Sequence, residues 1–206
     1  EFEKPALSAA CAGGVHMNIS INSPVVLCFT AVCGMALVLG YATGGATTNA
    51  FFSIYHSSLS SPMTWWRFAG HVFGHAGWQH FIGNIMLILV VGPMAEEKYG
   101  SANLFMVILA TALTTGIANY VFFPHVRLMG ASGVVFSLIL LSSVTGAKNG
   151  GIPLTFVLVA GLYIGQQVYE AFFVSGNVSH STHIIGGIVG AAMGFAMERS
   201  GMARKR

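Results

Sequence analysis

The sequence predicts an all-α, polytopic membrane protein with six transmembrane helices, a short enclosed fourth helix and a long membrane-embedded loop between helices 1 and 2. Three observations carry that prediction. Of 206 residues, 54% are hydrophobic and only 7% are charged. The mean hydropathy is +0.72. Apolar stretches recur at the length that crosses a bilayer. A soluble domain carries roughly 25% charged residues, so a chain this poor in charge cannot cover a water-facing surface and must turn most of its surface to lipid.

Crossing about 30 Å of hydrocarbon takes roughly 20 helical residues. Residues 1–16 contain no apolar core of the kind a signal peptide needs; they read as a disordered or appended segment, followed by one membrane domain over 17–206. The first span is 24–43. Residues 44–80 then form a long connection in which Trp65, Trp66, Trp78 and Phe68 are interleaved with His and Gly. Aromatic residues of this kind sit at headgroup level, so the connection is expected to be a partly embedded loop with short helices. Spans follow at 81–97 and 103–123. The stretch near 132–146 is short, and its polar bounds, 130–133 and 145–151, predict a helix enclosed by the others that begins below the membrane surface. The last two spans are 152–173 and 183–198.

Six spans put both termini on one side. Lys98, Lys148 and the terminal cluster Arg199, Arg204, Lys205 and Arg206 share that side, against Arg67 and Arg127 on the other. The positive-inside rule then places both termini in the cytoplasm, in a plasma or inner membrane. The long loop, Ser132 and His183 consequently meet near the external face. A net charge of +3 is too small to imply nucleic acid, and the cysteines Cys11, Cys28 and Cys33 have neither a disulfide framework nor zinc-ligand spacing.

Polar groups inside a membrane are costly unless paired, and each is a functional hypothesis. Gly130-Ala131-Ser132-Gly133 opens the short helix. Its free N–H groups can stabilise developing negative charge, and the glycines Gly130 and Gly133 permit close approach of a substrate backbone; the same tetrapeptide also suits a packing site or a helix cap. His183 opens the sixth span ahead of Gly186, Gly187, Gly190 and Gly194. At about 100° per residue, Gly187, Gly190 and Gly194 return to the His183 direction. Small residues at this spacing allow backbone contact between helices, with the helix at Ser132 as the natural partner. That contact would bring an imidazole to a hydroxyl, the pairing that activates a serine nucleophile; a packing stripe with an incidental histidine is the plainer alternative. His71, His75 and His80 precede Asn84, and His80 and Asn84 are four apart on one helical face. Together with the Ser132 N–H they would make an oxyanion hole; a metal site is the competing reading.

The chain contains no aspartate, and its acidic residues are Glu1, Glu3, Glu96, Glu97, Glu170 and Glu198. A Ser-His-Asp triad is impossible, and only Glu170 lies on the side where it could be a third member. Serine chemistry here is a two-residue dyad. The same poverty of carboxylates argues against an aspartyl intramembrane protease, which needs two aspartates, and against a proton relay built on acidic chains.

Trp66-Arg67-Phe68, His71-x3-His75-x4-His80-x3-Asn84, Glu96 with Gly100-Ser101, Gly130-x-Ser132-Gly133 and His183 with Gly186 and Gly190 together resemble the rhomboid family of intramembrane serine proteases, over nearly all of the chain from about residue 24. The resemblance implies Ser132 as nucleophile and His183 as general base. It implies an oxyanion hole of His80, Asn84 and the Ser132 N–H, a loop stabilised by Trp66 and Arg67, and lateral substrate entry gated by the fifth helix and its adjoining loop. Water must reach a site below the membrane surface, and the polar tract 175–182 is the candidate for an adjustable cap over it. The resemblance further implies transmembrane protein substrates, no cofactor and no metal. Family members often carry a tyrosine one turn after the serine; here that position is Phe136. Two other classes stand beside the protease: a catalytically silent relative that binds or escorts membrane proteins, and a small histidine-lined transporter. Oligomeric state is not legible.

Overall fold

The computed structural model describes residues 21–144, 151–173 and 180–201. Residues 1–16, Lys148, the terminal basic cluster beyond 201, residues 175–179 of the expected cap and the Glu170 side chain lie outside the described part. Among the described residues the secondary structure is helical: α1 (Pro24–Ala42), α2 (Ala46–Phe51), α3 (Pro62–Gly70) with a 3-10 turn at His71–Phe73, α4 (Trp78–Tyr99), α5 (Ser101–Phe122), α6 (Ser132–Ser143), α7 (Leu154–Phe173) and α8 (His180–Arg199). Three of these, α1, α4 and α5, are long and apolar enough to cross a membrane. Their outward faces carry bare apolar side chains, among them Met35, Val38, Met86, Val90, Met94 and Met106, as a lipid-facing surface requires.

Ionic contacts fix which helix ends lie together. The Glu96 carboxylate, buried near the end of α4, accepts the N–H groups of Val25 and Val26 at 3.0 Å each and the Ser101 hydroxyl at 2.7 Å. The first turn of a helix has no internal acceptor for its N–H groups. Ser23 supplies no side-chain cap to α1, and a carboxylate from another helix takes that place, where the positive end of the helix dipole favours it. Lys98 pairs with Glu198 near the end of α8. The start of α1 and the ends of α4 and α8 therefore share one end of the bundle. Gly100, at φ +83°, lets α4 turn into α5 with a single linking residue.

At the other end, the connection after α1 folds into short helices, as expected. Trp66 Nε1 donates to the Phe51 carbonyl at 3.0 Å and Arg67 Nε to that of Ala50 at 2.8 Å, which fastens α3 to α2. Ile54 and Leu128 form an antiparallel bridge, with both N–H···O distances at 2.9 Å, tying this connection to the one between α5 and α6.

Two helix starts lie three residues before the expected ones. Helix α4 begins at Trp78 instead of 81, and α8 at His180 instead of 183. Hydropathy cannot mark a polar first turn, and Gln79-His80 and Ser181-Thr182 are such turns. His183 thus lies within the first turn of α8, and the last part of the expected cap is helix.

Candidate active site

Helix α6 is enclosed, with Val134, Val135, Leu138 and Leu141 buried, and its most extensive partner is α8. The approach is at backbone level. A Cβ built on Gly186 would stand 2.3 Å from the Gly133 carbonyl oxygen, and one on Gly190 would stand 2.0 Å from that of Ser137. The expected stripe included Gly187, whose Cβ would instead meet the Leu140 and Tyr163 side chains at 3.0 and 3.1 Å. Backbone-level contact is at Gly186 and Gly190, four residues apart on the ridge that one helix lays against another, while a Cβ on Gly194 would meet the Leu141 and Val144 side chains at 3.2 and 3.3 Å.

This packing brings His183 over the start of α6. His183 Nε2 lies 2.9 Å from Ser132 Oγ. The Phe136 ring, one turn further along α6, lies 4.8 Å from the imidazole, centroid to centroid, and at 44° to it. Phe136 in turn lies 4.2 Å from Tyr163 of α7, so two tilted aromatic rings in succession back the imidazole. The hydroxyl missing from Phe136 leaves the aromatic face in place.

Across the cavity, His80 and Asn84 come from the first turns of α4. A Cβ at Gly130 would lie 2.7 Å from His80 Cε1, 2.8 Å from His80 Nε2 and 3.8 Å from Asn84 Nδ2. Only glycine fits there, and its φ of +125° is one that other residues rarely adopt. The Gly130 N–H donates to the His71 carbonyl at 3.0 Å, which fixes the loop leading into Ser132. The Ala76 N–H approaches His80 Nδ1 at 3.5 Å. A neutral imidazole that accepts at Nδ1 carries its proton on Nε2, the nitrogen beside Gly130. Asn84 Nδ2 is buried without an acceptor among the described residues, a donor with capacity to spare.

Ser132, His183, His80, Asn84, Phe136 and Arg127 all line one cavity of about 800 Å³. Trp66 and Arg67 do not line it; they brace the loop behind it. Sequence reasoning missed Tyr163, an apolar-looking position within an apolar helix, and the role of Thr115. The Thr115 hydroxyl lies 3.3 Å from His71 Nε2 and its methyl lies where a Gly133 Cβ would touch it at 3.4 Å. His75 is buried, its Nδ1–H directed to the Phe73 carbonyl at 3.2 Å and its ring 5.1 Å from that of His80. In this loop, burial lowers the His71 imidazole to about 4. Burial, with the neighbouring His80, lowers His75 to about 4 as well.

A hydroxyl within hydrogen-bond reach of an imidazole, with N–H donors across a cavity from it, is an arrangement suited to acyl transfer. Comparison with known proteins agrees with the architecture. The family model described as "Rhomboid domain" matches residues 62–200. Mouse "Rhomboid-related protein 2" is 28% identical over 194 residues, covering 84% of this chain and 64% of that protein. "Rhomboid protease GluP" of Bacillus subtilis is 28% identical over 176 residues, 79% of this chain and 33% of that protein. "Rhomboid protease GlpG" of Salmonella paratyphi A is 30% identical over 145 residues, 68% of this chain and 51% of that protein. The chain thus spans between a third and two thirds of the length of these relatives. With the family model matched over more than half its length, the chain belongs to the rhomboid family of integral membrane proteins.

Proposed function

We propose that this protein is an intramembrane serine endopeptidase that cleaves transmembrane segments of other membrane proteins through a Ser132–His183 dyad. The observation that carries the reading is the 2.9 Å contact between Ser132 Oγ and His183 Nε2 inside a cavity with room for a peptide segment. The names of the bacterial relatives, "Rhomboid protease GluP" and "Rhomboid protease GlpG", support it.

Ser132 Oγ attacks the scissile carbonyl carbon while its proton passes to His183 Nε2. The carbonyl oxygen becomes an oxyanion held by the Ser132 N–H, His80 Nε2–H and Asn84 Nδ2–H. The C–N bond then breaks, and His183 returns the proton to the departing amine. Water, deprotonated by the same imidazole, attacks the acyl-enzyme and frees the new carboxyl end. Phe136, packed against His183 at a tilt, limits ring rotation between the two proton transfers. Trp66 and Arg67 fasten α3 to α2 behind the cavity. Each step uses only groups of this chain and water, so the reaction calls for no cofactor.

In this reading α1, α4, α5, α6, α7 and α8 are six spans, and residues 17–206 form one membrane domain. Both termini are cytoplasmic, and the cavity opens toward the external face. The shared end formed by the start of α1 and the ends of α4 and α8 supports the even number of crossings.

The test is cleavage of a model transmembrane substrate by purified protein in proteoliposomes. The wild type produces two fragments and Ser132→Ala produces none. A silent escort protein would retain the substrate uncut in both forms, and that outcome would overturn the reading.

A further inference from the structure

Among the described residues, Arg127 is the one charged side chain, apart from the imidazoles, on the wall of the cavity that holds Ser132 and His183. It stands in the connection between α5 and α6 and is exposed. Both of its partners are neutral: Nη1 donates to Asn49 Oδ1 at 2.6 Å, and the guanidinium carbon lies 5.0 Å from the centre of the Tyr55 ring. Tyr55 also carries Arg67, at 4.4 Å. The group is therefore held in place without being neutralised.

Nothing of opposite sign is near it among the described side chains. The carboxylates there are Glu96, Glu97 and Glu198. Glu96 is twelve residues along α4 from Asn84, about 18 Å at the helical rise. The ion pair among the described residues, Lys98 with Glu198, is at that far end. A guanidinium has five N–H donors in a planar fork that fits a carboxylate, and Asn49 takes one nitrogen. A pre-oriented cation on the wall of the same cavity, with no carboxylate paired to it among the described residues, is a binding group for an anion.

We propose that Arg127 is a specificity-determining residue that receives a substrate carboxylate, an Asp or Glu side chain on the water-side flank of the scissile bond. This rests on the proteolytic reading above. The substrate is favoured over a lipid phosphate because Arg127 shares a cavity wall with Ser132, and the bridge from Ile54 to Leu128 fixes its backbone relative to that serine.

The experiment compares cleavage of paired model transmembrane substrates that carry Asp or Asn at successive positions on the water side of the cleavage site. With wild-type protein in neutral-lipid proteoliposomes, one such position gives a kcat/KM ratio, Asp over Asn, of about five, the size expected of an exposed charge pair, and the ratio shrinks as salt is raised. Arg127→Gln brings the ratio to about one, Arg127→Lys retains part of it, and Arg127→Glu reverses it toward a Lys-bearing substrate. Because each ratio is taken on a single enzyme preparation, partial loss of folded protein does not alter it. An unchanged ratio in Arg127→Gln overturns the assignment while leaving the protease reading intact. So does a ratio of one in the wild type, or a rate set by anionic lipid and not by the substrate residue. Absence of cleavage of every substrate by the wild type, with no Ser132 labelling, overturns the protease reading and this proposal with it.

Discussion

Gly186 lies against the carbonyl oxygen of Gly133 so closely that a methyl group on Gly186 would stand 2.3 Å from that oxygen. Gly133 follows Ser132, and Gly186 is three residues after His183. The contact between two backbones therefore sets the distance between hydroxyl and imidazole. Gly186→Ala must push α8 away from α6. Overpacking of this kind costs about 1–3 kcal/mol, and here the displacement opens the dyad as well. Gly186→Ala is expected to lower the melting temperature and remove most activity, whereas Gly187→Ala, which would meet side chains instead of backbone, is expected to do less of both. Equal effects of the two would contradict this geometry.

In the proposed reaction, His80 and Asn84 face a charge that exists only in the transition state. Interactions made in the transition state alone raise kcat without tightening substrate binding. His80→Ala and Asn84→Ala should each lower kcat by about 100- to 1,000-fold with little change in KM. A large rise in KM at constant kcat would instead make them substrate-binding groups.

The loop histidines make stability depend on pH. His71 and His75 are lowered from 6.5 to about 4 in the folded protein. As pH falls below about 6.5 the unfolded chain takes up protons that the native chain refuses, so the native state loses stability between about 6.5 and 4. The melting temperature is expected to fall between pH 7.5 and 5.5, a range above most carboxylate titrations, and the slope should be shallower in His75→Gln. A melting temperature flat across this range would count against burial of neutral imidazoles.

Glu96 has a separate task. Removing it leaves the N–H groups of Val25 and Val26 without their acceptor, at a cost of about 1–3 kcal/mol for each buried donor. Glu96→Ala should lower the melting temperature markedly and Glu96→Gln less, since the amide keeps one oxygen. Because the cavity is about 18 Å away along α4, activity well below the melting point should survive in Glu96→Gln.

Much of this architecture was legible in the residues. The apolar stretches near 24, 103 and 152 carry their own length, and the absence of aspartate rules out a Ser-His-Asp triad from the composition alone. The glycines after His183 announced a close helix contact, but periodicity alone selected Gly187 over Gly186, because a 100° wheel cannot tell which flank of the stripe meets the partner. Helix starts at Trp78 and His180 were hidden because their first turns are polar. Tyr163 beneath Phe136 was hidden for the opposite reason, an aromatic within an apolar helix having nothing to distinguish it. Glu96 was singled out together with Gly100-Ser101, yet its other partners are backbone N–H groups some 70 residues earlier, and backbone donors have no sequence signature.

The central claim is that Ser132 is a nucleophile activated by His183. It is tested most directly by reacting the membrane-embedded protein with a fluorophosphonate and mapping the adduct by mass spectrometry. The account predicts one adduct, on Ser132, forming about 100-fold or more slowly in His183→Ala. Labelling at a different residue, or at an undiminished rate without the imidazole, would contradict it.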